Sequence, residues 1–247
     1  MMVLSDFITA FRFLTILPLG KGKTVEPERM AASMAWFPLV GAWLGGALFA
    51  VDYLLRLVVP GNVSSVLVIA LLALVTGGLH LDGFADTLDG IFGGRGDKAR
   101  ILEIMKDSRI GAIGVVGLVF LLMLKFVSLD GLFGDSRAYA LVLMPTLARW
   151  SQVCMALGAR SARGEGSLAK PFLEHLNGWH LVSASAVTFA VAVLLAGLKG
   201  LVVVVPVAAI TVAARLYFNR KIGGITGDTI GAVSEVNEVI VLLTFLV

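Results

Sequence analysis

Three aspartates, Asp82, Asp86 and Asp89, follow closely on the uncharged, mostly apolar run Val63 to Val75. On a helix their i, i+4, i+7 spacing puts them within about 60° of arc on one face. Carboxylates that close repel by roughly 3 kcal/mol per pair at a separation near 6 Å and an effective dielectric of about 20. The nearest bases, His80 and Arg95, are too few to neutralise three acids, whereas one or two hard divalent ions would do so, and magnesium is the usual one. The stripe reads as a metal site where an apolar segment meets water. One of its carboxylates, Asp89 foremost and Asp86 beside it, is placed to take a proton from a reacting hydroxyl. The competing reading is that Asp caps helices or sits solvated at their ends, and that Asp-Gly pairs mark turns. Three acids on one stripe beside an apolar span favour function over that reading.

A second group lies at Lys106, Asp107, Ser108 and Arg109, just before another apolar run. Lys106 and Arg109 are spaced i, i+3 and Ser108 can donate from a helix start, which suits phosphate oxygens; a juxtamembrane basic anchor is the alternative. Four glycines surround Thr226 and Asp228, where the backbone can approach a ligand. Asp228 is a further metal ligand candidate, and Glu235 and Asn237 are within reach of the same pocket. The segment also reads as a helix-start turn with Asp228 as its cap. Arg149 stands in the middle of an apolar span, where it either pairs with a buried acid or holds an anionic substrate. His80, His175 and His180 show no metal-ligand spacing and read as satisfied structural histidines.

These residues are carried by a chain that is 58% hydrophobic and 15% charged over 247 residues, with a mean hydropathy of +0.93. That composition excludes an ordinary soluble domain and predicts one all-α domain, 1–247: a polytopic integral membrane helix bundle held in the lipid bilayer. The net charge of +3 is too small to imply nucleic acid. The lone Cys154 excludes an intrachain disulfide and a thiolate metal cluster. Residues 2–17 are amphipathic but carry Asp6 and Arg12, and predict an interfacial helix rather than a span or a secretory signal.

Six to seven transmembrane helices follow: Met34–Leu55, Val63–Leu81, Ile110–Leu129, Ala138–Gly158, Leu181–Leu198, Leu201–Phe218 after a turn at Lys199-Gly200, and the less regular Gly231–Val247. The Gly45-Gly46 pair invites close helix packing, and Asp52 and Arg56 are spaced to pair. If the spans alternate, Lys21, Lys23, Arg29 and the basic residues of loops 82–109, 159–180 and 219–230 share one side, and only Arg56, Arg137 and Lys199 face the other. The positive-inside rule makes the first side cytoplasmic, with the acidic stripe on it.

Six stretches carry a resemblance to a known family: Arg12-Phe13-Leu14-Thr15, Trp36-Phe37-Pro38-Leu39-Val40-Gly41, His80 through Gly90, Ile104 through Gly111, Ala148-Arg149-Trp150 and Gly223 through Thr229. Through nearly its full length the chain resembles the bacterial adenosylcobinamide-GDP ribazoletransferases, or cobalamin synthases. The resemblance implies transfer of the adenosylcobinamide-phosphate part of adenosylcobinamide-GDP to α-ribazole or its 5'-phosphate, with release of GMP, a magnesium requirement and a place in the bacterial inner membrane. Self-association, or association with other cobalamin-assembly enzymes, is compatible with it. Asp86-Thr87-Leu88-Asp89-Gly90 is also similar to the opening of the CDP-alcohol phosphotransferase signature, but Ile91-Phe92-Gly93-Gly94 departs from its continuation. That departure puts a transfer of that family's base assignment in doubt. A membrane transporter, with polar residues lining a solute path, is the reading from a different class.

Overall fold

The computed structural model describes residues 2–20, 25–163 and 169–247; Lys21 and Lys23, counted above on the basic side, lie outside them. Helix α1, Met2–Leu14, buries Ala10, Phe11 and Leu14 and exposes Leu4 and Arg12. It is pinned by Asp6, which accepts two hydrogen bonds from Arg29 of α2, Pro27–Ser33. A 3-10 turn, Met34–Trp36, joins α2 to α3, Phe37–Leu55, because Pro38 has no N–H to continue the α pattern and fits only the first turn of a helix.

Helix α4, Gly61–Val75, stops short of the predicted Leu81. Gly77 and Gly78 adopt φ of 63° and 69°, a left-handed pair that only glycine takes without strain, and the chain leaves at 88° as α5, Leu79–Gly93. The acidic stripe therefore lies on a separate helix set at 88° to α4, not on the straight continuation of the second span. After the short α6, Lys98–Ile104, come α7, Ala112–Asp130, and α8, Gly134–Ala156. The latter is the axis of the molecule, with Leu141, Leu143, Leu147 and Val153 completely buried. Gly41 and Gly45 of α3 lie on its backbone: a Cβ on Gly45 would stand 2.5 Å from Val142 Cα, whereas Gly46 faces open space, so only one of the predicted glycine pair makes the close approach.

Helix α9, Lys170–His175, precedes α10, Gly178–Ile222. Non-helical backbone at Gly197 (φ 56°, ψ −130°) breaks α10 into two arms. The predicted turn at Lys199-Gly200 is thus two residues late, and Gly200 instead packs on the backbone of Ala192 where the arms fold together. Helix α11, Gly227–Leu246, closes the bundle.

Among the described residues there is one isolated bridge, Ser161 with Ile225, and no strand. Four helical segments, 27–55, 112–130, 178–222 and 227–246, are long and apolar enough to cross a membrane, and α4 with α5 forms one bent pair. Large apolar side chains such as Phe120, Val127, Leu194 and Val205 point outward while charges are buried inside, the distribution of a helical membrane protein.

At one end Arg137 donates to both oxygens of Asp52 at 2.8 and 2.6 Å, to the Leu129 carbonyl and to Ser65, tying α3, α4, α7 and α8 together. Asp52 thus pairs across the bundle, not with Arg56 as its i+4 spacing suggests. Midway, Lys125 of α7 donates to Glu235 and Glu238 of α11, each at 2.5 Å, and Glu238 also accepts from Arg149 of α8. Two buried acids and two buried bases cancel.

Candidate active site

The other end of the bundle carries a cavity of about 360 Å³. Its polar side is assembled by α5 and α11. Gly83 makes this possible: a Cβ there would sit 2.9 Å from Asp228 Cα, so only glycine lets the two helices approach and bring the α5 acids toward Asp228. Thr226 starts α11 by accepting from Thr229 N, while Thr229 Oγ1 accepts from Thr226 N in return. The cap is therefore Thr226, not Asp228, and its buried hydroxyl also donates to Asp228 Oδ2 at 3.3 Å. Asp228, in the first turn, accepts from Arg163 Nη2 at 2.5 Å. The same nitrogen donates to the Met105 carbonyl at 2.9 Å, and Arg163 is held in place because Arg160 and Ala162 pair with the backbone of Ile225.

Asp82 lines the cavity with Asp228, Lys106, His80 and Gln152, and the lining also holds three aromatic residues, Phe13, Phe37 and Phe172. Asp86 lies behind this rim. Burial, then the like charges of Asp82 and Asp228, push its carboxyl up to about 7, against the pull of Arg163. It is a position short of positive charge.

The remaining predicted residues are distributed otherwise. Asp89 accepts from the backbone N–H of Gly111 at 2.7 Å and of Gly114 at 2.8 Å, so both its oxygens anchor the start of α7. Among the described residues no three Asp, Glu, His or Cys side chains converge closely enough to hold an ion by themselves. Lys106 reaches the cavity, but Arg109 turns away to Asp107 through two side-chain nitrogens and its own backbone N–H; that contact holds the Asp107 carboxyl down to about 2. Ser108 is exposed beside them. Arg149 and Glu235 are locked in the buried charge cluster below the cavity, which settles the alternatives for Arg149 in favour of a buried acid and takes Glu235 out of the pocket. Asn237 donates to Thr211 on α10.

Sequence reasoning missed Arg163, counted only as a loop charge, and the aromatic wall, whose members are 24 to 159 residues apart by number. It also read His80 as satisfied, although its Nδ1 is buried without a hydrogen-bond partner. A signal for the buried cluster was present: Lys125 in one apolar run and Glu235 with Glu238 in another carry complementary charge that neither run can leave in lipid.

Fold and site together define a polytopic helical membrane protein with an acidic pocket, edged by Lys106 and Arg163, at one end of its bundle. Residues 6–246 match the family described as Cobalamin-5-phosphate synthase. The chain is 42% identical over 240 residues to the adenosylcobinamide-GDP ribazoletransferase of Geotalea daltonii, covering 97% of this chain and 96% of that one. It is 41% identical to the enzyme of the same name from Syntrophobacter fumaroxidans, covering 96% of each. With that of Clostridium tetani it shares 33% identity over 98% of this chain and 96% of the relative. No solved structure matches. The chain belongs to the Cobalamin-5-phosphate synthase family.

Proposed function

We propose that this protein transfers the adenosylcobinamide-phosphate part of adenosylcobinamide-GDP to α-ribazole or its 5'-phosphate, releasing GMP, with magnesium bound at the pocket rim. The observation that carries the reading is the end-to-end match to relatives of that name, 42% identical over 97% of the chain in one case. The pocket supplies what the reaction needs. Magnesium is commonly held by one or two carboxylates completed by substrate phosphates and water. Asp82 and Asp228, with Asp86 beside them, fit that role: burial, then the like charges of Asp82 and Asp228, lift Asp86 toward 7, and Arg163 is the cation that opposes the shift. Bound there, the ion supplies Lewis-acid neutralisation of the pyrophosphate.

The chain's own groups do the rest. Lys106 and Arg163 bind phosphate oxygens and orient the phosphorus for in-line attack, where positioning and charge neutralisation matter more than covalent help. The proton of the attacking hydroxyl passes to the Asp82, Asp86 and Asp228 cluster. Asp89, its oxygens already committed to two amides, positions α7 instead of acting as the base. The surplus of Lys and Arg on the pocket side, Arg95, Lys98, Arg100, Lys106, Arg160, Arg163, Arg220 and Lys221, orients that side to the cytoplasm of the bacterial inner membrane.

The test is GMP release by purified protein in detergent supplied with magnesium, adenosylcobinamide-GDP and α-ribazole. Wild type is expected to release GMP, and Asp82→Asn and Asp86→Asn to be at least about 100-fold slower while still folded. Solute flux in liposomes with no GMP would establish transport in its place.

A further inference from the structure

His80 opens α5 and lines the cavity, yet it is 5% exposed. Its Nε2 lies 2.9 Å from Gln152 Nε2, and that same amide nitrogen donates to Ser234 Oγ at 2.9 Å. An amide NH2 only donates, so Nε2 of the imidazole is the acceptor and the ring proton sits on Nδ1. A second proton on the ring would set two donors face to face, so His80 is a neutral Nδ1–H donor. That nitrogen is buried and has no hydrogen-bond partner among the described residues. Such a donor costs stability unless a ligand takes it up.

The aromatic lining is a cluster of rings. Phe13 and Phe37 stack with centroids 5.8 Å apart and planes at 14°, and Phe172 lies 4.9 Å from Phe13. Phe13 remains 38% exposed while Phe37 and Phe172 are buried against it, so Phe13 offers the open aromatic ring and the other two hold it in place. About 360 Å³ is room for a nucleoside and not for a corrin macrocycle.

We infer that this cavity is the subsite for the acceptor nucleoside: the benzimidazole ring lies against Phe13, which Phe37 and Phe172 back, and its unsubstituted ring nitrogen accepts the Nδ1–H of His80. The inference rests on the transferase reading above and names where that reaction's smaller substrate binds. The chemistry discriminates among the bases at hand. A dimethylbenzimidazole offers one acceptor nitrogen on an otherwise apolar bicycle, which matches one donor and an apolar wall. Guanine, the base of the other substrate, carries donors and acceptors on several edges, and the phenylalanines would leave them unpaired.

The experiment is equilibrium binding to the full-length protein in detergent, without magnesium or corrinoid, of α-ribazole and of its indole isostere, in which the acceptor nitrogen is replaced by C–H. Wild type is expected to bind α-ribazole at least 10-fold more tightly than the isostere. His80→Met, which keeps the bulk and removes the donor, is expected to bind the two alike, and Phe172→Ala to weaken both together. Equal affinity of wild type for the two nucleosides, a preference retained in His80→Met, or no binding at millimolar α-ribazole would each overturn the inference. The wild-type comparison decides even if a variant fails to fold. GMP release by a wild type that shows no nucleoside preference would refute this subsite and leave the transferase reading intact; no GMP from wild type would refute that reading itself.

Discussion

At the scale of single residues, Asp86 governs the electrostatics of the pocket. Its carboxyl keeps a proton up to about 7 in the folded protein and gives it up near 3.8 in the unfolded chain. The folded state therefore binds more protons between those limits, and stability falls as pH rises through that window, levelling above it. Magnesium competes with the same proton. Thermal unfolding in detergent is expected to show a larger magnesium-induced stabilisation at about pH 8 than at about pH 6, and Asp86→Asn to lose that difference; an equal gain at both pH values would contradict it. Asp89 should behave differently. Asp89→Ala removes two charge-assisted bonds to the start of α7 and is expected to cost about 1–2 kcal/mol of stability, read by the same melt, while Asp89→Asn keeps measurable GMP release. The acidic stripe was legible in the sequence because i, i+4, i+7 spacing survives in α5. Which oxygens were already engaged was not, since the partners of Asp89 lie 22 and 25 residues further on and are backbone amides of no particular type.

At the scale of elements, the site depends on α5 turning away from α4 and lying close to α11. Gly83→Ala would put a Cβ 2.9 Å from Asp228 Cα and push the helices apart by a fraction of a helix radius. Because displacements near 1 Å cost about 100-fold where positioning carries the rate, GMP release is expected to fall by that order while circular dichroism stays helical. Unchanged turnover in Gly83→Ala would show that the α5–α11 approach does not set the site. Hydropathy read residues 63–81 as one span because Leu79 and Leu81 continue the apolar run; the Gly77-Gly78 pair that breaks it looks, in one dimension, like any packing glycines of a membrane helix. Gly197 was passed over for the same reason in favour of the polar Lys199.

At the scale of the whole molecule, two charge clusters hold the helices in register. One is the Asp52–Arg137 tie at the far end and the other is the neutral quartet Lys125, Arg149, Glu235 and Glu238. Glu238→Gln would leave two buried cations with one acid and is expected to destabilise the protein by about 3–5 kcal/mol in a detergent melt, more than any substitution at exposed Arg109. The helical membrane class was written in composition alone. The charges of the quartet were visible as faults in apolar runs, but which of them bond was not, since the bonded partners are 89 to 113 residues apart. The central claim is that Asp82, Asp86 and Asp228 gather a divalent cation on which substrate phosphates are held. Manganese binding followed by electron paramagnetic resonance, in protein saturated with adenosylcobinamide-GDP, tests it most directly: wild type is expected to immobilise the ion and Asp82→Asn and Asp86→Asn to leave it free in solution. Equal immobilisation by wild type and both variants would contradict the claim.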